Sequence, residues 1–288
     1  MRQPIPVDVG IELRPEHHAL VLERRPAVAW FEVPAETLLT RGDGWRAIEL
    51  VAREYPLSLH AEGLSLASVT RPDAAYLGHL REWVTRLQPD FVSHPLSWSA
   101  AEGGPLPDLV SIVRNVNCVQ ETLQRQILLE NASKPLDLAD AALSEAAFLA
   151  EVVLRTGCGI ALDVSNLHST ALHFGASANT LLADFLDTLD PECIAEIRLA
   201  GRSITWGQRR GPSIFAAAWK LFEIAVATLG PVPTLLEWDT HTPSFDVLQA
   251  EAATAQSTLL RSTRQADLYA PARAHSTCLP DLKTTPAP

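Results

Sequence analysis

Cysteine is scarce in this sequence, and the four that occur, Cys118, Cys158, Cys193 and Cys278, include no C-x-x-C pair. A disulfide framework or a thiolate zinc site needs more cysteines at closer spacing. The sequence therefore argues against both kinds of site, and we interpret the four thiols as structural.

Basic residues are also in the minority, with 23 Lys and Arg against 34 Asp and Glu and a formal net charge of -11. Binding to a nucleic-acid backbone needs clustered Lys and Arg, so nucleic acid is not an expected partner. No apolar run approaches the about 20 residues that a membrane span requires. The first residues carry Pro4, Pro6 and Asp8 in place of the apolar core of a secretory signal. We therefore expect a folded cytoplasmic protein with no membrane partner.

Strand-like and helical patterns alternate eight times along the chain, which is typical of an α/β fold. Parallel neighbouring strands need helical crossovers, so eight such units predict a TIM-like (β/α)8 barrel. An open doubly wound sheet also alternates in this way, but the first loop lacks its G-x-G-x-x-G motif. The predicted strands are Val9–Leu13, Val28–Val33, Leu57–His60, Asp90–His94, Ile127–Asn131, Cys158–Val164, Ile194–Ala200 and Thr234–Trp238.

The predicted helices fill the intervals between these strands. We expect one barrel domain over residues 1–262 and a disordered, Pro-containing tail over 263–288, where the apolar period is lost. The helices are predicted at Arg14–Arg25, Gly44–Glu54, Pro72–Leu87, Asp108–Leu123, Ser144–Arg155, Ala178–Leu189, Ile214–Leu229 and Phe245–Arg261.

Polar side chains stand at the carboxyl ends of five of the apolar strands. The clearest case is Ile127–Asn131, in which three apolar residues end in Glu130 and Asn131. Because these strand ends meet at one mouth of a barrel, we expect the polar groups to form one site. The other strand-end groups are His60, His94, Asp163 with Asn166 just beyond it, and Glu237 with Asp239.

Seven blocks along the chain share a pattern with one known family. They are Gly10–His17, Trp30–Glu36, Tyr55–His60, Val92–Ser99, Ile127–Asn131, Leu162–Asn166 and Leu235–Asp239. Together they resemble the multinuclear non-heme iron-dependent oxidative enzymes, and the resemblance runs from about Gly10 to Ala255. It implies a TIM-like barrel with irons at its mouth. It also implies oxygen-dependent modification of cysteine, or of another residue, in ribosomally made precursor peptides, with a small partner protein that presents the peptide.

The resemblance places ligand or near-ligand positions at His60, Glu130, Asp163, Asn166 and Glu237. Other positions depart from the family pattern. Where the family reads Ser-Glu-His-Leu, this chain reads Ser93–Leu96 with His94 and Pro95 in the middle. Where the family reads His-Leu-Ala-Gly-His, this chain has arginine at both ends, Arg198 and Arg202, and the loop that follows is replaced by Trp206–Gly211.

Two hypotheses follow for the site. In the first, iron is bound, with fewer ions than in the relatives, by the six residues His60, His94, Glu130, Asp163, Asn166 and Glu237. The substrate peptide would then contact Arg198, Arg202, Arg209, Arg210, Asn131 and Asp239. In the second, the barrel has lost catalysis and binds a peptide or anionic ligand through those four arginines. A third, an isomerase or phosphate-ester hydrolase, rests on fold analogy alone.

Arg198 supports a further expectation under either hypothesis. A guanidinium cannot lose its proton, and a buried one without a counter-charge is too costly. Arg198 lies near the end of the predicted seventh strand, one step from the carboxylates of the sixth and eighth. We therefore expect it to pair with Asp163 or Glu237 and to occupy the space of one metal ion.

Overall fold

The computed structural model describes residues 4–39, 43–96, 108–132, 143–202, 213–214, 216–238 and 242–269, without the side chains of Asp43, Arg202, Ser213 and residues 264–269. Eight parallel strands close into a barrel in the order β6-β5-β4-β3-β2-β1-β9-β7, with β6 pairing back to β7. The predicted (β/α)8 barrel is confirmed. Its strands are β1 Val9–Glu12, β2 Trp30–Pro34, β3 Leu57–His60, β4 Phe91–Pro95, β5 Leu128–Glu130, β6 Gly159–Asp163, β7 Ile194–Arg202 and β9 Thr234–Trp238.

Helices pack around the outside of this barrel and bury its outward apolar side chains. In the described part of the chain, no helix is both long and apolar enough to cross a lipid bilayer. The helices are α1 His18–Arg24, α2 Asp43–Glu54, α3 Ala74–Leu87, α4 Leu109–Leu123, α5 Glu145–Thr156, α6 Val164–Phe174, α7 Ala178–Thr188, α8 Ala216–Leu229 and α9 Phe245–Tyr269.

Helix α6 was not predicted, and it begins directly at the end of β6. Asp163 is its N-cap residue, since one carboxylate oxygen accepts hydrogen bonds from the backbone N–H groups of Ser165 and Asn166. Gly175 ends the helix in the left-handed conformation, with φ of 64°. Asp163 therefore both ends β6 and caps α6. The strand pattern alone does not indicate the second role.

Two other boundaries differ from the prediction. The short strand β8, Ser213–Ile214, pairs antiparallel with the end of β7 where the sequence predicted the start of a helix. Helix α9 continues to Tyr269, past the predicted end at Arg261, so the predicted domain end at residue 262 falls inside a helix. Most of the predicted tail, residues 270–288, lies outside the described residues.

The amino-terminal half of the barrel interior is filled by an apolar layer. Trp30 lies edge-on to Phe91 there, with ring centroids 6.5 Å apart. Gly10, the partner of Trp30 across β1 and β2, leaves room for the indole, because a Cβ at this position would collide with the ring carbons. This layer seals one end of the barrel and leaves the other end for polar groups.

Gly10→Ala should lower the free energy of unfolding by about 1–3 kcal/mol, since the added methyl overpacks the Trp30 contact. Urea unfolding followed by circular dichroism measures the change. Gly78→Ala is the matched control, because Gly78 lies in α3 with no neighbour within 4 Å of the added Cβ. That control should be stabilised by about 0.5–1 kcal/mol. Equal stability in the two variants would contradict the proposed packing.

Candidate metal centre

Three carboxylates meet at the carboxyl-terminal mouth of the barrel. Glu130 ends β5, Asp163 ends β6, and Glu237 is the fourth residue of β9. One oxygen from each of the three lies within 4.8 Å of the others. Because all three come from strand ends that face the interior, the expectation that these groups converge is met for this triad.

Arg198 lies beneath the triad, with a side chain that is 0% exposed. Its Nη1 is 3.2 Å from Glu130 Oε2 and 3.1 Å from Glu237 Oε2. Its Nη2 is 2.6 Å from Glu32 Oε2, and its Nε is 2.7 Å from Glu196 Oε1. The expected pairing with Glu237 is thus present, within a four-carboxylate shell that the sequence pattern did not predict.

Glu32 and Glu196 are site residues that the strand-end pattern missed, because both lie within strands. Glu32 accepts hydrogen bonds from Ser58 Oγ at 2.9 Å and from Ser93 Oγ at 3.2 Å. Arg198 Nη2 also donates to Ser93 Oγ at 2.7 Å. The available signal was an acid inside an otherwise apolar strand, which must face the interior and find a partner there.

Negative charge exceeds positive charge among the described side chains of this interior. Six carboxylates lie there against the two guanidiniums of Arg14 and Arg198. Burial raises the pKa of Glu130 to about 8, although Arg198 opposes the shift, and it raises the pKa of Glu196 to about 8 in the same way. The cluster therefore needs protons or a further cation. Its acids are Glu12, Glu32, Glu130, Asp163, Glu196 and Glu237.

Burial alone would lower the pKa of Arg198, but the surrounding carboxylates raise it well above its ordinary value. Burial raises the pKa of Glu237, as it does for Glu130 and Glu196, and the charge of Arg198 opposes this shift. Arg198 is therefore permanently charged, and the variable charge of the cluster resides on its acids. A divalent cation would favour their ionised forms.

Glu12 and Arg14 form a second ion pair at the same end of the barrel. Arg14 Nε lies 2.9 Å from Glu12 Oε2, and Arg14 Nη2 donates to the backbone oxygen of Trp238 at 2.7 Å. Burial raises the pKa of Glu12 to about 7 against the lowering effect of Arg14. The pair joins the ends of β1 and β9, and Arg14 is 31% exposed at the mouth.

His60 and Asn166 belong to the same interior. His60 Nδ1 lies 2.9 Å from Ser93 Oγ, and burial, helped by the charge of Arg198, lowers its pKa well below the ordinary value. Asn166 Nδ2 donates to Glu130 Oε1 at 2.9 Å. A neutral imidazole suits metal ligation, while the amide of Asn166 orients Glu130.

Two other predicted site residues are not brought to the triad. Ser93 faces the interior, and successive strand residues point to opposite faces, so His94 points outward into the helical layer. The side-chain amide of Asn131 is hydrogen-bonded to the backbone of Asp163. Its Nδ2 donates to the carbonyl oxygen at 2.9 Å, and its Oδ1 accepts from the N–H group at 2.7 Å. We therefore assign Asn131 to fixing β5 against β6. We leave His94 out of the ligand set.

The remaining predicted contacts cannot be placed. Arg202 ends β7, but its side chain lies outside the described part of the structure. Arg209, Arg210 and Asp239 also lie outside the described residues. Their roles stay predictions.

The donor set of the centre suits a hard or borderline divalent cation. Carboxylate and amide oxygens with an imidazole nitrogen are the ligands that non-heme iron uses, and open positions are needed for oxygen. Within the described residues, the excess of buried negative charge gives an independent reason for a cation here. The three carboxylates, whose ligand atoms lie within 4.8 Å of one another, therefore fit a divalent cation, and His60 lies outside that group.

Solved structures with this fold come from several kinds of enzyme. Endonuclease IV from Thermus thermophilus is 14% identical and superposes with a TM-score of 0.58, covering 90% of this chain and 99% of its own. D-psicose 3-epimerase from Clostridium cellulolyticum is 12% identical with a TM-score of 0.56, covering 89% and 98%. At such low identity the likeness concerns the barrel alone.

Sequence relatives are much closer. A UPF0276 protein of Chromobacterium violaceum is 36% identical over 268 residues, which covers 88% of this chain and 96% of the relative. A UPF0276 protein of Acaryochloris marina is 35% identical over 269 residues, with coverages of 89% and 96%. Residues 8–260 match the family described as RiPP precursor modification enzyme MbnB/TglH/ChrH, where RiPP denotes a ribosomally made, post-translationally modified peptide. This chain belongs to that family.

Proposed function

We propose that this protein is an iron-dependent oxidative enzyme that modifies cysteine, or another residue, of a ribosomally made precursor peptide. The observation that carries the proposal is the triad of Glu130, Asp163 and Glu237, whose oxygens lie within 4.8 Å of one another. Membership of the precursor-modifying family supports the class of substrate. Bound iron would supply the activation of oxygen.

The residues around the triad would have distinct tasks. His60, held through Nδ1 by Ser93 and kept neutral by burial, would add a nitrogen ligand. Asn166 would hold Glu130 in position through its 2.9 Å hydrogen bond. Asp163 has one oxygen committed to the N-terminus of α6, so its orientation is fixed before a metal binds.

The peptide would lie across the mouth of the barrel. Arg14 supports this placement because it offers a partly exposed positive charge at that end. We propose that Arg202, Arg209, Arg210 and Asp239 contact the peptide, since Arg202 ends β7 and the other three follow β7 or β9 in sequence. A small partner protein that presents the peptide belongs to the same proposal.

The competing hypothesis, a barrel that binds an anion through its arginines, is weakened by Arg198. Its guanidinium is fully buried and already engaged by four carboxylates. A phosphate or peptide carboxylate at this position would meet excess negative charge and be repelled. Arg198 therefore cannot be the anion-binding group of such a site.

Metal content tests the proposal. Protein expressed with added iron and purified without chelator should retain iron, and Glu130→Gln or Asp163→Asn should lower the affinity at least about tenfold, as even outer ligand partners contribute 10–100-fold. Glu121→Gln, an exposed acid of α4, is the matched control. Equal iron in wild type, Glu130→Gln and Asp163→Asn would contradict the centre. Co-expression with short peptides encoded beside the gene, followed by mass spectrometry, tests the substrate class.

A further inference from the structure

The guanidinium of Arg198 has surroundings that resemble those of a bound metal ion. Oxygens of four different carboxylates lie between 2.6 and 3.2 Å from its nitrogens. The hydroxyl of Ser93 adds a fifth oxygen at 2.7 Å. The exposed Arg25, Arg86 and Arg155 each pair with one carboxylate. The oxygens around Arg198 come from five different strands of the barrel.

The shell is divided between an inner and an outer side. Glu32 and Glu196 are 1% and 0% exposed, and Arg198 is the one cation among the described side chains that contacts them. Glu130 and Glu237 are shared, because they also belong to the triad at the mouth. Arg198 therefore occupies the inner half of the acidic cluster and leaves one three-carboxylate position on the mouth side.

We propose that Arg198 is a built-in cation that takes the place of one metal ion and restricts the centre to a single divalent ion. The proposal rests on the proposed function for the remaining ion but makes its own statement about the arginine. A fixed charge in the inner position repels a second cation there. It also fills the space between Glu32, Glu196 and the triad. Replacing it by a neutral ligand should open a second position.

The test is a titration of metal-free protein with Mn2+, read as ions bound per chain by elemental analysis and by electron paramagnetic resonance. Wild type should bind one ion and give the signal of an isolated Mn2+. Arg198→His, which removes the charge and supplies an imidazole, should bind one ion more and give the signal of a coupled pair. Arg81→His, an exposed residue of α3, is the control and should behave as wild type.

Arg198→His risks misfolding without metal, so the charge-balanced pair Arg198→His with Glu196→Gln is measured beside it. One ion in wild type and two in either variant supports the inference. No ion in wild type but one in the variant rejects the proposed function while it supports the arginine as a substitute cation. The same number of ions in wild type and in both folded variants overturns the inference, as does a wild type that binds two.

Discussion

Arg198→Met should lower the free energy of unfolding of the metal-free protein by about 3–5 kcal/mol, a range typical of breaking a buried ion pair from one side. The variant removes the charge that Glu32, Glu196, Glu130 and Glu237 share, and the methionine offers no hydrogen bond in its place. Urea unfolding in the presence of a chelator measures the loss. Because the apolar contacts of the barrel are unchanged, the fold itself should be retained at low denaturant.

A double-mutant cycle separates charge from packing in this prediction. Glu196→Gln removes one of the carboxylates, so combining it with Arg198→Met should cost less than the sum of the two single changes. Arg198→Lys keeps the positive charge but loses the forked hydrogen-bonding geometry of the guanidinium. Its free energy of unfolding should therefore lie between those of wild type and Arg198→Met. If Arg198→Met is as stable as wild type at neutral pH, the charge of Arg198 contributes nothing to the free energy of unfolding, and the prediction is wrong.

The strand-end pattern predicted much of this site. An acid at the end of a buried strand must find a cation or a metal, and this rule identifies Glu130, Asp163 and Glu237 from the sequence alone. The cost of an unpaired guanidinium predicted the Arg198–Glu237 contact in the same way. Such rules work where one residue has few alternatives. These rules do not predict how many partners a buried charged group has.

Other features could not be read from the sequence. Ser93 and His94 are adjacent, and a shift of one residue in a strand exchanges the inner and outer faces. The sequence favoured the imidazole as the interior group, but the structure turns the serine inward. Glu32 and Glu196 were overlooked because neither ends its strand, and α6 was not predicted because it follows β6 without an intervening loop.

The metal-free protein should lose stability as the pH rises from about 6.5 to 8. Glu130 and Glu196, with pKa values of about 8 in the folded state, keep protons that the unfolded chain has released above its ordinary pKa of about 4.3. Unfolding therefore releases protons, and stability falls as pH rises. At about 1.4 kcal/mol per proton and pH unit, the fall should be on the order of 2–4 kcal/mol. Urea unfolding at several pH values with chelator measures it.

The window begins at 6.5 because the buried histidines act in the opposite direction below it. Burial lowers the pKa of His60 and His94. As the pH drops, the unfolded chain therefore binds protons at these histidines and the folded protein does not. The contribution of these two residues to the free energy of unfolding falls as a result. Below pH 6.5 the histidines and the acids therefore largely offset one another, and we expect stability to change less there than it does above pH 6.5. Glu196→Gln should flatten the slope above 6.5, whereas Glu121→Gln should leave it unchanged. Saturating Mn2+ should make the free energy of unfolding rise with pH in this range, because metal ligands must lose their protons to bind. Stability that rises from pH 6.5 to 8 without metal would mean that the cluster is already ionised and its excess charge compensated by other groups.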